Sequence, residues 1–99
     1  MATFVMLTQL TAEGGKTLAA NPSRVDEVNA EIGQFGCQVV SQYALLGAYD
    51  FLTVIEAPDS EAVARLSVNL GSRGTLTTMT MPAIPRKEFI QSLRQPVAE

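Results

Sequence analysis

No histidine and no tryptophan occur among the 99 residues, and cysteine occurs once, at position 37. Without histidine there is no imidazole for a metal, for a haem, or for a Ser-His or Cys-His nucleophile pair. A single cysteine excludes an internal disulfide and a cysteine-rich zinc site. Without tryptophan the strongest stacking surface for a sugar or a base is missing. Cations are also scarce: seven Lys and Arg stand against ten Asp and Glu, for a net charge of −3 and a pI near 4.8. Nucleic acids and anionic membranes ask for the opposite, a basic face. No apolar run approaches the ~20 residues of a membrane span. The N-terminus has no basic flank, long apolar stretch and small-residue cleavage site, so no secretory signal is read and the chain is placed in the cytoplasm. These absences imply no metal or cofactor, no nucleic-acid partner and no membrane partner.

What remains is a globular composition, 46% hydrophobic and 17% charged. The length allows one domain, read as residues 1–94, with 95–99 a polar, frayed tail around Pro96. The first strand is Thr3 to Leu10, rich in apolar and β-branched residues. Thr11 to Lys16 reads as a loop, because adjacent Gly14 and Gly15 weaken a helix. Asn21 and Pro22 suit the cap and first position of a helix whose apolar stripe is Val25, Val28, Ile32 and Phe35. Gly36 reads as its stop. Two strands follow, Cys37 to Leu45 and Tyr49 to Glu56, joined by a three-residue hairpin loop, Leu46-Gly47-Ala48. Asp59 or Ser60 caps a second helix carrying Ala62, Val63, Leu66 and Leu70 and stopped by Gly71. A fourth strand runs from Thr75 to Met81, with Pro82 and Pro85 breaking it. Phe89, Ile90 and Leu93 mark a short terminal helix.

The order βαββαβ implies an α+β, ferredoxin-like sandwich: four antiparallel strands with both main helices on one face, and a short C-terminal helix. The second face does not alternate to polar residues. Leu52 and Val54 oppose Tyr49, Phe51, Thr53 and Ile55, and both sets are mostly apolar. Such a face exposes several hundred Å², about the limit for a soluble monomer. Its burial is worth on the order of 10 kcal/mol gross. Two covers are open: a second copy related by a two-fold axis, or the terminal helix folded under the sheet. The favoured pairing makes Phe51 and Ile55 interface residues.

The residues Tyr43, Gly47, Tyr49 and Asp50, followed by Glu56-Ala57-Pro58-Asp59, resemble the GYD domain family. The resemblance extends over almost the whole chain, including the Thr11-x-x-Gly14 loop, the Leu70-Gly71 helix end and the threonine-rich last strand. It implies a ferredoxin-like fold of the dimeric α/β-barrel kind and hence a homodimer or larger self-assembly. It implies no particular activity.

With a three-residue loop, Tyr43, Tyr49 and Phe51 share one face as an aromatic cluster, and Asp50 points to the helix side with Leu52 and Val54. A carboxylate there needs donors. One reading is structural, with hydrogen bonds from loop backbone or from an arginine such as Arg73. The other makes Asp50 a general base or ligand anchor. Gly47 serves backbone geometry. Cys37 reads as a small buried hydrophobe in preference to a nucleophile. Gly14-Gly15-Lys16 lacks the spacing of a phosphate loop. Met79 and Met81 read as core or interface rather than a soft-metal site.

Three functions stay open. The first is a small-ligand-binding or regulatory homo-oligomer. The second is a cofactor-independent isomerase or monooxygenase using Tyr43, Tyr49, Asp50 and Arg73. The third is a structural assembly subunit. An enzyme requires a pocket of a few hundred Å³ that reaches two of those groups.

Overall fold

The computed structural model describes residues 1–97, so Ala98 and Glu99 of the expected tail lie outside the described residues. Its elements are β1 (Ala2–Leu10), α1 (Ala12–Ala20), α2 (Arg24–Gln34), β2 (Gln38–Ala44), β3 (Phe51–Ala57), α3 (Ser60–Gly71), β4 (Leu76–Ala83) and α4 (Arg86–Leu93). The four strands form one antiparallel sheet in the order β2-β3-β1-β4. This is the ferredoxin-like arrangement, with an additional helix, α1, between β1 and α2.

That helix corrects the loop expected over Thr11 to Lys16. Thr11 builds it: its hydroxyl oxygen accepts the Gly14 N–H at 3.1 Å and donates to the Gly74 carbonyl at 2.8 Å. Its own N–H donates to the Thr75 carbonyl at 3.0 Å. Helix α1 is thereby pinned to the start of β4, and the glycines are tolerated because that anchoring outweighs their low propensity. Asn21 then ends α1, its N–H donating to the Thr17 carbonyl, and does not cap the next helix. The turn Asn21-Pro22-Ser23 delays α2 to Arg24.

The remaining helices follow local rules. Gly36 leaves α2 at φ +75°, a conformation that costs glycine least. The Asp59 carboxylate accepts the Ala62 N–H at 2.8 Å and starts α3. Its Ala62, Val63, Leu66 and Leu70 face the sheet and meet Phe4, Met6 and Ile55 in the core, with Ile32 from α2.

The connection between β2 and β3 differs from expectation. It is six residues long, Leu45 to Asp50, and Ala44 pairs with Phe51 and Tyr43 with Leu52. The three-residue loop shifts this register by one residue, which reverses every side chain on β3. Thr53 and Ile55 are therefore core residues, 2% and 0% exposed, and Leu52 and Val54 lie on the opposite face. Ile55 and Phe51 are not on the face left open. A β-bulge at Val40 adds to the shift, so that Val39 opposes Ile55 while Ser41 opposes Val54. Strand β4 also runs through Pro82 to Ala83 and is not broken there, since β4 is an edge strand and can lack one N–H.

The terminal helix α4 does not fold under the sheet. It makes no substantial packing contact with another element, and Phe89, Ile90 and Leu93 are exposed along it. The long axis of the molecule reaches 55 Å against 28 and 20 Å for the others. The radius of gyration is 15.5 Å, above the roughly 13 Å of a compact domain this size.

Candidate functional site

Three places carry the chemistry-bearing side chains, and the first is the open face of the sheet. Register aligns two cross-strand rows on it: Tyr43, Leu52, Leu7 and Met79, then Ser41, Val54, Val5 and Met81. Val5, Leu7, Leu52 and Val54 are half-buried by one another, while Tyr43, Met79 and Met81 are exposed. The Tyr49 hydroxyl reaches across to the Met79 sulfur at 3.6 Å, which puts Tyr49 on this face as well. Polar rows border the strip. Gln9 lies opposite Thr77 at one end, and the Thr3 hydroxyl donates to Glu56 at 2.9 Å at the other.

The second place is the corner between β1 and the β2–β3 loop. The Asp50 carboxylate accepts the Leu10 N–H at 2.7 Å, and the Asp50 N–H donates to the Thr8 carbonyl at 2.8 Å. The Leu45 N–H closes the loop on the Asp50 carbonyl at 2.8 Å. Gly47, at φ +135°, allows that loop to turn.

The third place is a cleft of about 90 Å³ between α1, α2 and the helix side of the sheet. Its polar wall is ordered by side chains from four elements. Asn29 and Gln42 exchange amide hydrogen bonds of 2.9 and 3.2 Å, and the Gln42 amide donates to the Thr53 hydroxyl at 3.0 Å. Glu31 lies between two arginines. Arg73 Nη1 sits against its buried Oε2, without the alignment of a hydrogen bond, and Arg73 Nη2 donates to Asn69 at 2.7 Å. Arg24 stands 3.8 Å from both Glu27 and Glu31.

The four residues considered for acid–base work are thus dispersed. Tyr43 and Tyr49 are on the open face, Asp50 is engaged with backbone at the corner, and Arg73 is paired with Glu31 on the helix side. Of the four, the cleft reaches Arg73 alone. A wider groove of about 350 Å³ between α3 and β4, beside Phe4, Ser67 and Thr80, reaches none of them. The aromatic cluster is divided too, because Phe51 faces the helices.

Cys37 is 4% exposed at the foot of β2. Burial pushes its thiol upward, the Asp59 carboxylate adds to the effect, and Arg65 opposes it. No group of three His, Cys, Asp or Glu side chains is placed to hold a metal among the described residues. No helix there is long and apolar enough to cross a membrane.

Helical spacing sets Asn29 and Glu31 on faces other than the apolar stripe of α2, and sequence alone singles out none of Thr8, Arg24 and Gln42 as a site residue. Asn29 still carried a usable signal, lying one turn after Val25 and hence at the border of that stripe.

Comparison with known proteins agrees with this architecture. The family model described as GYD domain matches residues 4–93. A Thermus thermophilus protein named glutamine synthetase and cystathionine beta-lyase binding protein is 50% identical over 95 residues, which is 95% of this chain and all of that protein. Among solved structures, FFRP-DM1 superposes with a TM-score of 0.59 at 18% identity, over 85% of this chain and all of its own. An ACT domain protein from Streptococcus pneumoniae gives 0.53 at 11% identity, over 84% of this chain and 90% of its own. At such identities the solved structures speak to the fold alone.

Proposed function

The chain belongs to the GYD domain family, and on that footing we propose that it is a self-associating regulatory protein that binds an enzyme and performs no catalysis of its own. The observation that carries this is the open sheet face. Two rows that are apolar on β3, β1 and β4 cross the sheet within polar borders, and α4 holds Phe89, Ile90 and Leu93 away from its own domain. A second copy related by a two-fold axis covers both surfaces at once: sheet on sheet in the manner of a dimeric α/β barrel, with α4 as an arm laid on the partner. The dispersal of Tyr43, Tyr49, Asp50 and Arg73 supports a binding role over an enzymatic one. The relative's name supplies the class of partner, metabolic enzymes such as glutamine synthetase and cystathionine beta-lyase.

Light scattering at micromolar concentration tests the assembly, and surface plasmon resonance on immobilised glutamine synthetase tests the partner. The expected mass is a multiple of 10.6 kDa, falling to that of one chain in Leu52→Glu or Val54→Glu, with saturable binding to the enzyme by the parent protein. A parent protein that runs as a single chain overturns the assembly. An unchanged mass in both variants moves the interface off the sheet, and no enzyme binding removes the regulatory role.

A further inference from the structure

The groove between α3 and the edge strand β4 is open to an apolar occupant. Phe4 and Pro82 from the sheet and Val63 and Ala64 from α3 give it apolar walls. Two of its hydroxyls, Ser67 and Thr80, bond to one another at 3.3 Å and need no outside partner. Helix α4 carries the complementary surface. Phe89, Ile90 and Leu93 are exposed and fall within about 100° of its circumference. Lys87, Glu88, Gln91 and Arg94 lie outside that arc. The dimensions agree. Eight residues make α4 about 12 Å long, and four strand steps from Thr78 to Pro82 make the groove floor about 13 Å. The groove measures about 350 Å³. A cavity of about 150 Å³ takes a benzene ring, so the groove has room for about two such side chains. Phe89 and Leu93 present that pair, one turn apart.

The chain's own α4 does not fill the groove. Ile84 and Pro85 join β4 to α4, Pro85 is extended (φ −55°, ψ 142°), and α4 makes no substantial contact with α3. A second copy is placed to do so. Alternation along β4 sets Met79 and Met81 on the open sheet face and Thr78, Thr80 and Pro82 on the groove. The groove thus adjoins the assembly face around one edge strand, and α4 leaves from the end of that same strand. Area points the same way. The apolar strip on the open face, two rows over three strands, measures roughly 13 by 14 Å. Each partner in a stable interface gives about 800 Å². An arm given and a groove filled each add a patch of about 12 by 10 Å, which more than doubles the contact. We infer that α4 of a second copy lies in the α3–β4 groove, anchored by Phe89 and Leu93, and that a two-fold axis makes the exchange reciprocal. This inference rests on the self-association proposed above and names the surface that receives the arm.

The test is cross-linking with a short bismaleimide between co-expressed full-length chains in a Cys37→Ala background. One chain carries Leu93→Cys in the arm and the other Ala64→Cys in the groove, both at exposed positions. Lys16→Cys, exposed on α1 away from the groove, replaces the groove variant as control. The arm and groove chains are expected to form a heterodimer, identified by mass, about tenfold faster than the arm and control chains. Leu93→Glu is expected to weaken self-association about tenfold or more in sedimentation. A parent protein that assembles while arm and groove cross-link no faster than the control overturns the inference and leaves the sheet pairing standing. So does an unchanged association constant in Leu93→Glu, or cross-linking found only within single chains that carry both cysteine substitutions, which puts the arm in its own groove. Arm-to-groove cross-linking with mass unchanged in Leu52→Glu and Val54→Glu supports the inference and takes the sheet face out of the interface. A parent protein that runs as a single chain at micromolar concentration overturns both.

Discussion

A Cβ on Gly14 would lie 1.8 Å from the Thr75 carbonyl oxygen. Helix α1 therefore meets the start of β4 backbone to backbone, and only a residue without a side chain fits between them. Gly14→Ala is expected to destabilise the protein by about 2 kcal/mol or more, because the obstructing atom is main chain and cannot rotate away. Gly15→Ala serves as the control, with open space around its Cβ. It should leave stability unchanged or raise it slightly. Chemical denaturation of the two variants checks the contrast.

Asp50 closes the loop that precedes β3 by accepting the Leu10 N–H. Asp50→Ala leaves that N–H without its acceptor and is expected to cost roughly 1–3 kcal/mol. Asp50→Asn retains an acceptor oxygen and should fall between the parent and the alanine variant. Thermal melts of the three proteins measure this. An Asp50→Asn protein more stable than the parent would show instead that the carboxylate is held against its own preference, as a ligand-binding group often is.

Cys37 is predicted to resist alkylation in the native state, with modification following global unfolding. The pH dependence has a definite sign. The folded thiol is raised above its ordinary value of 9.0, chiefly by burial, so the native state holds its proton longer than the unfolded chain. Its contribution is full below that ordinary value and is lost as pH rises past it through the raised one. Denaturation curves on either side of that pH should show a decline that is smaller in Cys37→Ala.

Much of the fold is legible in the residues because local chemistry dictates it. Asp59 with the stripe of Ala62, Val63, Leu66 and Leu70 specifies α3 without reference to anything distant. Gly36 marks the end of α2 in the same way. The failures occur where distant partners decide. Helix α1 depends on hydrogen bonds from Thr11 to residues 74 and 75, which no local propensity contains. The face of β3 depends on a loop of six residues and a bulge at Val40. With Leu52 and Val54 as apolar as Phe51 and Ile55, alternation alone cannot choose between the two sides. The cleft was illegible for a related reason. Arg24 and Thr8 are separated by sixteen positions, and the intervening α1 has to fold before they line one space.

Both edges of the sheet are poor templates for a further strand. On one side β2 carries the bulge at Val40, and on the other β4 carries Pro82, which offers no N–H. Lateral growth by strand addition is obstructed at each end, although the sheet has a broad apolar face. Under the assembly proposed above, contacts would therefore run across the sheet surface, where a two-fold pairing closes on itself. In that assembly a chain with so much uncovered apolar area is expected to stay a finite particle when concentrated, without seeding fibrils.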